Sequence, residues 1–146
     1  MFLISGGLTY EMAPKTWSGG ASDPTTAWCN VTSTDITGAA GTLIGAGSAN
    51  TTDMLAACTS GAAVSARAYA GGGQSDWFLP SKDLLNAMYD YKGSIVDTAT
   101  YGFSNSEYWT STEDGTFWAW TQQFSLGTRL GLLKSRTYSV RPVRAF

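Results

Sequence analysis

Asp76-Trp77-Phe78-Leu79-Pro80-Ser81 is the stretch of sequence that decides the fold class of this chain. Its apolar centre predicts a short buried strand, and Pro80 ends that strand because proline cannot donate to a sheet ladder. Ser81 then predicts a helix N-cap. The apolar residues that follow have the spacing of one helix face, at Leu84, Leu85, Met88 and Tyr91.

The sequence on either side of this stretch predicts further helices and strands. A strand is expected over 8–13, and residues 23–50, rich in Gly, Ala, Ser and Thr, are expected to form a long irregular loop. Helices are expected from Asn50 or Thr51 to Cys58, and over 61–70. After Gly93, strands are expected over 108–110, 117–124, 130–134 and 138–143. Turns are expected at Gly115, 126–127 and 135–137. We therefore predict one α+β domain over residues 1–146.

Composition excludes several classes of enzyme. The 146 residues are 13% aromatic and only 14% charged, with 17 Gly, which favours a β-rich domain whose loops are held on a core of large rings. The chain contains no His. Ser-His and Cys-His nucleophile pairs and imidazole metal sites are therefore absent, and we expect no catalytic activity.

Charge is divided unevenly along the chain. Residues 1–114 contain all 11 acidic residues, whereas residues 115–146 contain five basic residues and no acidic one. This basic segment could bind anionic glycans or phosphates. Alternatively, some of its arginines, Arg141 and Arg144 above all, pair with carboxylates inside the fold.

The two cysteines leave two interpretations open. Cys29 and Cys58 have neither a zinc-site spacing nor a Cys-x-x-Cys redox spacing. They could form a disulfide in an oxidising compartment, or remain two small buried apolar residues. No stretch has the length of a membrane span, and Met1–Ile4 is too short for a secretory signal, so membrane insertion is not expected.

Five blocks of sequence resemble one protein family. They are spread over nearly the whole chain, from Gly7 to Phe146, and are Gly7-Leu-Thr-Tyr-Glu11, Asp76-Trp-Phe-Leu-Pro-Ser81, Tyr108-Trp-Thr-Ser111, Ala119-Trp120 and Val140-Arg-Pro-Val-Arg-Ala-Phe146. In this order the blocks resemble the C-terminal domain of the Legionella collagen-like adhesin, a family found in bacteria and tailed phages. The second and last blocks are the most specific.

The resemblance implies a C-type lectin-like fold, a variant with a twisted antiparallel sheet, two or more short helices and long loops. Its N- and C-terminal strands are expected to meet. The large residues of the shared blocks are expected to fill the core, namely Trp77, Phe78, Trp109, Trp120 and Phe124.

The chain also departs from related patterns. The family helix usually has Glu where this chain has Leu84, so the reciprocal half of a capping box is missing. The calcium-binding sugar motifs of true C-type lectins are absent, and no metal or other cofactor is predicted. Cys29 and Cys58 do not fall where the reactive pair of the related formylglycine-generating enzymes would lie.

The resemblance further implies a recognition domain that is displayed on a virion, as on a phage tail fibre, or on an extracellular or bacterial cell surface. Its partner would be a host-surface glycan or protein, not a nucleic acid. Related variable proteins are rewritten near the C-terminus by diversity-generating retroelements. We place the ligand contacts between Gly115 and Ser139, at Trp118, Thr121, Leu126, Thr128, Arg129, Leu130, Leu132, Ser135 and Arg136.

Two points stay open within this prediction. Trp118 shares its alternation phase with Trp120 and Phe124, so it could be a core residue instead of a contact. The second candidate function is a structural module that caps or oligomerises a fibre. A homo-oligomer is expected on either interpretation, and a trimer is the expectation that the family carries.

Overall fold

A computed structural model describes all residues from Met1 to Phe146. Four helices are present: α1 (Gly47–Ala57), α2 (Ala62–Ala68), α3 (Lys82–Tyr91) and α4 (Thr98–Tyr101). Eight strands accompany them: β1 (Leu3–Ser5), β2 (Leu8–Met12), β3 (Thr25–Thr26), β4 (Glu107–Glu113), β5 (Trp118–Gln123), β6 (Arg129–Leu133), β7 (Tyr138–Ser139) and β8 (Val143–Ala145). The predicted α+β class, with short helices and long loops, is confirmed.

The strands form two sheets. The smaller has the order β1-β2-β8, and its antiparallel pairs Tyr10↔Ala145 and Met12↔Val143 bring the two ends of the chain together as predicted. The larger has the order β3-β7-β4-β5-β6. It is antiparallel except between β4 and β7, which pair in parallel at Tyr108↔Ser139. This fold is compatible with the C-type lectin-like class.

The larger sheet separates two hydrophobic clusters. Neighbouring residues of a strand point to opposite faces, so Tyr108 and Trp109 of β4 enter different clusters. Trp109 packs with Trp28 and with α1 and α2, whereas Tyr108 packs with Phe124 and the apolar face of α3. All these aromatic rings are buried. The sheet is thereby fixed from both sides, and β5 and β6 extend from its centre to one edge.

Helix α3 begins where the sequence predicts. The Ser81 hydroxyl accepts from the Leu84 amide at 3.3 Å and donates to the carbonyl of Leu43 at 2.7 Å. Leu84, Leu85 and Met88 are fully buried. The strand predicted before this helix is reduced to one bridge, between Phe78 and Val143, because the rest of the segment turns into the loop that leads to Ser81.

Other boundaries differ for tertiary reasons. Helix α1 starts at Gly47 instead of Asn50 or Thr51, because the Asn50 side chain is used elsewhere: it accepts from the Gly41 amide and donates to the Gly41 carbonyl. The strand predicted over 138–143 ends at Ser139, and the Val140 amide instead donates to the carbonyl of Pro24. Helix α2 is shorter at both ends than the predicted 61–70.

Cys29 and Cys58 form a disulfide, which decides between the two interpretations left open by the sequence. The bridge joins the long loop to the end of α1. Gly61 lies beside it with a φ of +118°, and a Cβ there would stand 2.5 Å from the carbonyl oxygen of Trp28. Only glycine fits this turn, which ties α2 closely to the same loop.

Candidate ligand-binding surface

The predicted contact residues lie on β5, on β6 and on the turns that flank them. The two strands pair antiparallel from Trp118↔Leu133 to Gln122↔Arg129. The turn between them contains Gly127 at a φ of +81°, where a Cβ would meet the ring of Tyr89 at 2.6 Å. Position on these strands does not by itself show which residues can contact a ligand. The solvent exposure of each side chain, and the face of the sheet on which it lies, decide that.

Most of the predicted residues are exposed. Leu126 is 75% exposed, Leu130 45% and Trp118 44%. Trp118 is therefore no core residue, which answers the question raised by its alternation phase. Exposed side chains are also found at Thr128, Arg129, Ser135 and Arg136.

Two of the predicted contact residues are buried or half-buried. Thr121 is only 1% exposed, and its hydroxyl lies 3.1 Å from Glu107 Oε2 and 3.0 Å from the carbonyl oxygen of Leu130. Leu132 is half-buried and packs on the cluster that contains Trp109. Thr121 therefore cannot contact a ligand, and Leu132 supports the sheet more than it meets solvent.

The predicted residues do not share one face of the sheet. Directly opposed residues of an antiparallel pair lie on the same face, so Trp118, Leu133 and Arg129 lie with Trp120 on the side of α3. Leu130 and Leu132 lie on the other side. The prediction followed consecutive residues of β6, and strand alternation divides such residues between two faces.

We call the α3 side of these strands the tryptophan face and define it by Lys82, Trp118, Trp120, Arg129 and Leu133. The ammonium group of Lys82 lies 3.4 Å from the centroid of the Trp120 ring. Trp120 is only half-buried, so the expectation that it fills the core is wrong: Ala119 has the core-facing phase on β5. The phase of the two tryptophans in the sequence was the signal that could have found this face.

Polar groups border the tryptophan face. Arg129 lies 3.7 Å from Asp83, and both side chains are about two-fifths exposed. Gln122, opposite Arg129, donates from Nε2 to Asn86 at 2.9 Å, while its Oε1 is buried and has no donor within reach. Phe117 extends the apolar part, with its ring 5.6 Å from that of Trp118 in an edge-to-face arrangement. The face thus combines exposed aromatic area with the cationic side chains of Lys82 and Arg129.

The carboxyl group of Glu107 lies on the side of the sheet opposite the tryptophan face, and burial shifts its pKa. Desolvation raises the pKa of Glu107, and the hydrogen bond from Thr121 opposes that rise. Glu107 is half-buried and has no cationic partner. It supports the strand pair and is not part of the tryptophan face.

The basic C-terminal segment is mostly paired inside the fold. Lys134 is buried and lies 2.7 Å from Glu113, while Arg144 lies 2.8 Å from both Glu11 and Asp76. The hydrogen bond from Arg144 lowers the pKa of Asp76. Arg141 is buried against Asp23. Of the five basic residues in 115–146, only Arg136 lacks a carboxylate partner, so the segment does not form the continuous basic surface that its sequence suggested.

One concave site lies elsewhere and was not predicted. A cleft of about 410 Å³ lies beside α4 and is lined by Lys15, Lys92, Ser104 and Asn105, with Phe103 and Phe124 as apolar walls. Neither lysine has a carboxylate within ion-pair distance. Among the helices of the whole chain, none has the length and apolar character of a membrane span.

The residues of the most specific sequence blocks are structural. Arg141 and Arg144 make buried or partly buried ion pairs, and Phe78 bridges to Val143 between the two blocks. The model of one family, the Lcl C-terminal domain, matches residues 16–144. The chain belongs to the Lcl C-terminal domain family. A comparison with curated proteins finds no match. As an Lcl C-terminal domain, the protein is of an adhesin-like class, which is consistent with a surface location.

Proposed function

We propose that this Lcl C-terminal domain is a noncatalytic recognition domain that binds a host-surface glycan or protein through the tryptophan face. The single observation that carries the proposal is the exposed Trp118 beside Phe117 and Leu133, on strands that the two core clusters hold rigid. Trp and Arg are the residue types that most often dominate binding energy, because they bury large area or make forked hydrogen bonds. A rigid support lowers the entropic cost of binding.

The contacts we assign differ from those predicted from the sequence. Trp118, Arg129 and Arg136 keep the leading role, with Leu126, Thr128 and Ser135 as exposed flanking positions. Leu130 is left out because its side chain lies on the other side of the sheet. Thr121 is omitted because it is buried, and Leu132 is assigned to support. Lys82, Trp120 and Leu133 are added because they share the face with Trp118.

The setting that we propose is a virion surface, such as a phage tail fibre, or the surface of a bacterial cell. Membership of an adhesin-like family and the Cys29–Cys58 disulfide support it, since disulfides persist in oxidising compartments. We also propose that the segment between Gly115 and Ser139 is diversified by a retroelement. Sequencing the flanking DNA tests this: a reverse-transcriptase gene and a near-copy of the 3′ end that differs at adenines are expected, and their absence would contradict it.

Binding measurements test the recognition role. The purified domain should bind candidate host cells or a glycan panel saturably, and Trp118→Ala and Arg136→Ala should each weaken binding while leaving the melting temperature nearly unchanged. Val96→Ala is the matched control, because Val96 is 98% exposed and lies away from this face. Absence of saturable binding, or equal binding by all three variants, would contradict the proposal.

A structural oligomerisation module is the second candidate function. The exposed apolar residues of β6 favour it, because such residues also suit contacts between copies. Arg129→Ala separates the two functions. It should leave the sedimentation of the protein unchanged if the face only binds a ligand, and should change it if the face is an interface.

A further inference from the structure

Trp118 has the most exposed ring of the tryptophan face, and its neighbours fix its position. Carbon Cε3 of its indole lies 3.7 Å from the point that a Cβ would occupy at Gly115, and the Phe117 ring meets it edge to face. The ring of Trp120, by contrast, is half-buried and covered by the ammonium group of Lys82. Of the two tryptophans, Trp118 therefore offers the open aromatic surface.

The carboxylate of Asp114 lies over the same face. Gly131 is opposite Trp120 in the ladder of β5 and β6, so a Cβ at Gly131 would point onto the tryptophan face, and the Asp114 carboxylate occupies that position. The amide of Asp114 donates to the carbonyl of Trp118 at 2.9 Å, which holds the two residues together. Asp114 is exposed, and its side chain has no ion pair in the chain. An unused acceptor with two oxygens thus lies beside the open ring.

The charges of this surface oppose an anionic ligand. Arg129 is paired with Asp83, and the ammonium group of Lys82 is held over Trp120. Asp114 is the charged group left without a partner, and it would repel an anionic group at close range. A ligand that contacts both Trp118 and Asp114 therefore has to be uncharged there and has to present hydrogen-bond donors.

The shape of the surface favours a sugar over a cation. None of the four cavities of the protein is lined by Trp118 or Asp114, so the ring belongs to an open surface. Quaternary ammonium ligands are bound in cages of several aromatic rings. A pyranose needs only one ring, because the C–H groups on one side of the sugar stack on the electron-rich face of an indole. The hydroxyl groups at the edge of the sugar then donate to a carboxylate.

We propose that Trp118 and Asp114 form a binding site for a neutral pyranose, in which the indole stacks on the apolar side of the sugar and the carboxylate accepts from two neighbouring hydroxyl groups. The inference rests on the proposed recognition function and names its ligand class, a neutral glycan. The site needs no calcium ion, unlike the sugar motifs that the sequence lacks. One ring and one carboxylate bind weakly, and display of several copies would strengthen binding through multivalency.

Titration of the whole chain with the methyl glycosides of glucose, galactose and mannose tests the site, with the indole N–H signal of Trp118 followed by NMR. At least one glycoside should shift this signal saturably, also in the presence of EDTA. Because no ligand charge is involved, its affinity should change less than about twofold between about 50 and 500 mM NaCl. Sialyllactose and a sulfated glycosaminoglycan, the anionic probes, should not shift the signal. Failure of all three glycosides, or a shift by the anionic probes alone, would overturn the proposal.

Variants compared on a surface coated with the best-bound sugar test the two residues. Trp118→Ala should weaken binding at least about tenfold, and Asp114→Asn at least about threefold. Gly131→Ala changes no charge, but its methyl group would displace the Asp114 carboxylate, so it should weaken binding as much as Asp114→Asn. Asp90→Asn, at an exposed carboxylate near the end of α3, is the control and should bind like the wild type. Circular dichroism and melting temperature check that each variant folds. Unchanged binding in both Asp114→Asn and Gly131→Ala would overturn the role of Asp114.

Competition on host cells separates this inference from the recognition function. If the best-bound sugar displaces the protein from cells, both are supported. If cells bind the wild type but not Trp118→Ala, and no neutral glycoside binds, the sugar inference fails and the recognition function stands. If a glycoside binds at Trp118 and no cell is bound, the sugar site stands and the host-recognition role fails.

Discussion

Asp23 and Arg141 form a bidentate ion pair inside the fold, although they lie 118 residues apart. Arg141 Nε donates to Asp23 Oδ1 and its NH2 group to Oδ2, both at 2.7 Å. The Tyr108 hydroxyl also donates to Asp23, at 2.6 Å, and Trp17 Nε1 does so at 3.2 Å. Burial, followed by the charge of Asp23, raises the pKa of Tyr108. The Arg of the most specific family block thus fixes the long loop to the sheet.

Asp23→Asn should lower the free energy of unfolding by about 3–5 kcal/mol, because it leaves the buried guanidinium of Arg141 without its counter-charge. Urea denaturation measures this. Asp76→Asn is the control, since the Asp76 side chain is 50% exposed and its pair with Arg144 should contribute at most about 1 kcal/mol. If the two variants lost equal free energy of unfolding, burial of the ion pair would not determine its contribution to stability, and the prediction would be contradicted.

Replacing both Cys29 and Cys58 with Ala should lower the free energy of unfolding by about 3 kcal/mol, because the unfolded chain is no longer constrained by the bridge across 29 residues. Thermal unfolding with and without a reducing agent checks it. The reduced wild type should melt near the variant. A melting temperature that the reductant leaves unchanged would contradict this prediction.

Glu107→Gln should stabilise the protein at neutral pH and have no effect in acid. Because the pKa of Glu107 is raised by burial in the folded state, its ionisation opposes folding. That penalty is absent below the unfolded pKa of about 4.3 and grows as pH rises through the folded pKa. Gln keeps the acceptor for Thr121 and has no charge. Urea denaturation at pH 3 and pH 7 measures the effect of the substitution on the free energy of unfolding below and above the pKa. A stabilisation that is larger at pH 3 than at pH 7 would contradict the raised pKa of Glu107.

Ser81→Ala should lower the free energy of unfolding by about 1–2 kcal/mol, because α3 loses its N-cap and the carbonyl of Leu43 loses a donor. Ser125→Ala in the exposed turn is the matched control and should change stability by less than about 0.5 kcal/mol. Amide exchange at Leu84 should accelerate only in Ser81→Ala. Unchanged protection there would contradict the capping role.

Thr121→Val should reduce stability and leave binding intact, the reverse of Trp118→Ala. The buried Thr121 hydroxyl lies within donating distance of Glu107 and of the β6 carbonyl of Leu130, and a buried acceptor left without its donor costs about 1–3 kcal/mol. Stability and cell binding measured on both variants separate the two roles. Loss of affinity in Thr121→Val at an unchanged melting temperature would return Thr121 to the contact set.

The elements that the sequence predicted well are those with local signals. Ser81 and the leucines after it mark α3, and Gly115 and Gly127 mark two turns, each at a positive φ. The start of α1 was missed because Asn50, a good cap by type, bonds to Gly41 across a loop. The candidate site was predicted as a region but not as a face. Consecutive residues of β6 were grouped, and the pairing register with β5 was needed to separate them.

The sequence by itself determined the α+β class, the family and the capping and turn positions, because these depend on neighbouring residues and on short periodic patterns. The tertiary structure alone decided that Arg141 is buried, that Trp120 is half-exposed beneath Lys82, and that Thr121 is enclosed while Trp118 is exposed. Their burial depends on groups many residues away, such as Asp23 for Arg141. Local pattern does not encode which distant groups meet, since that follows from how the sheet packs between its two clusters.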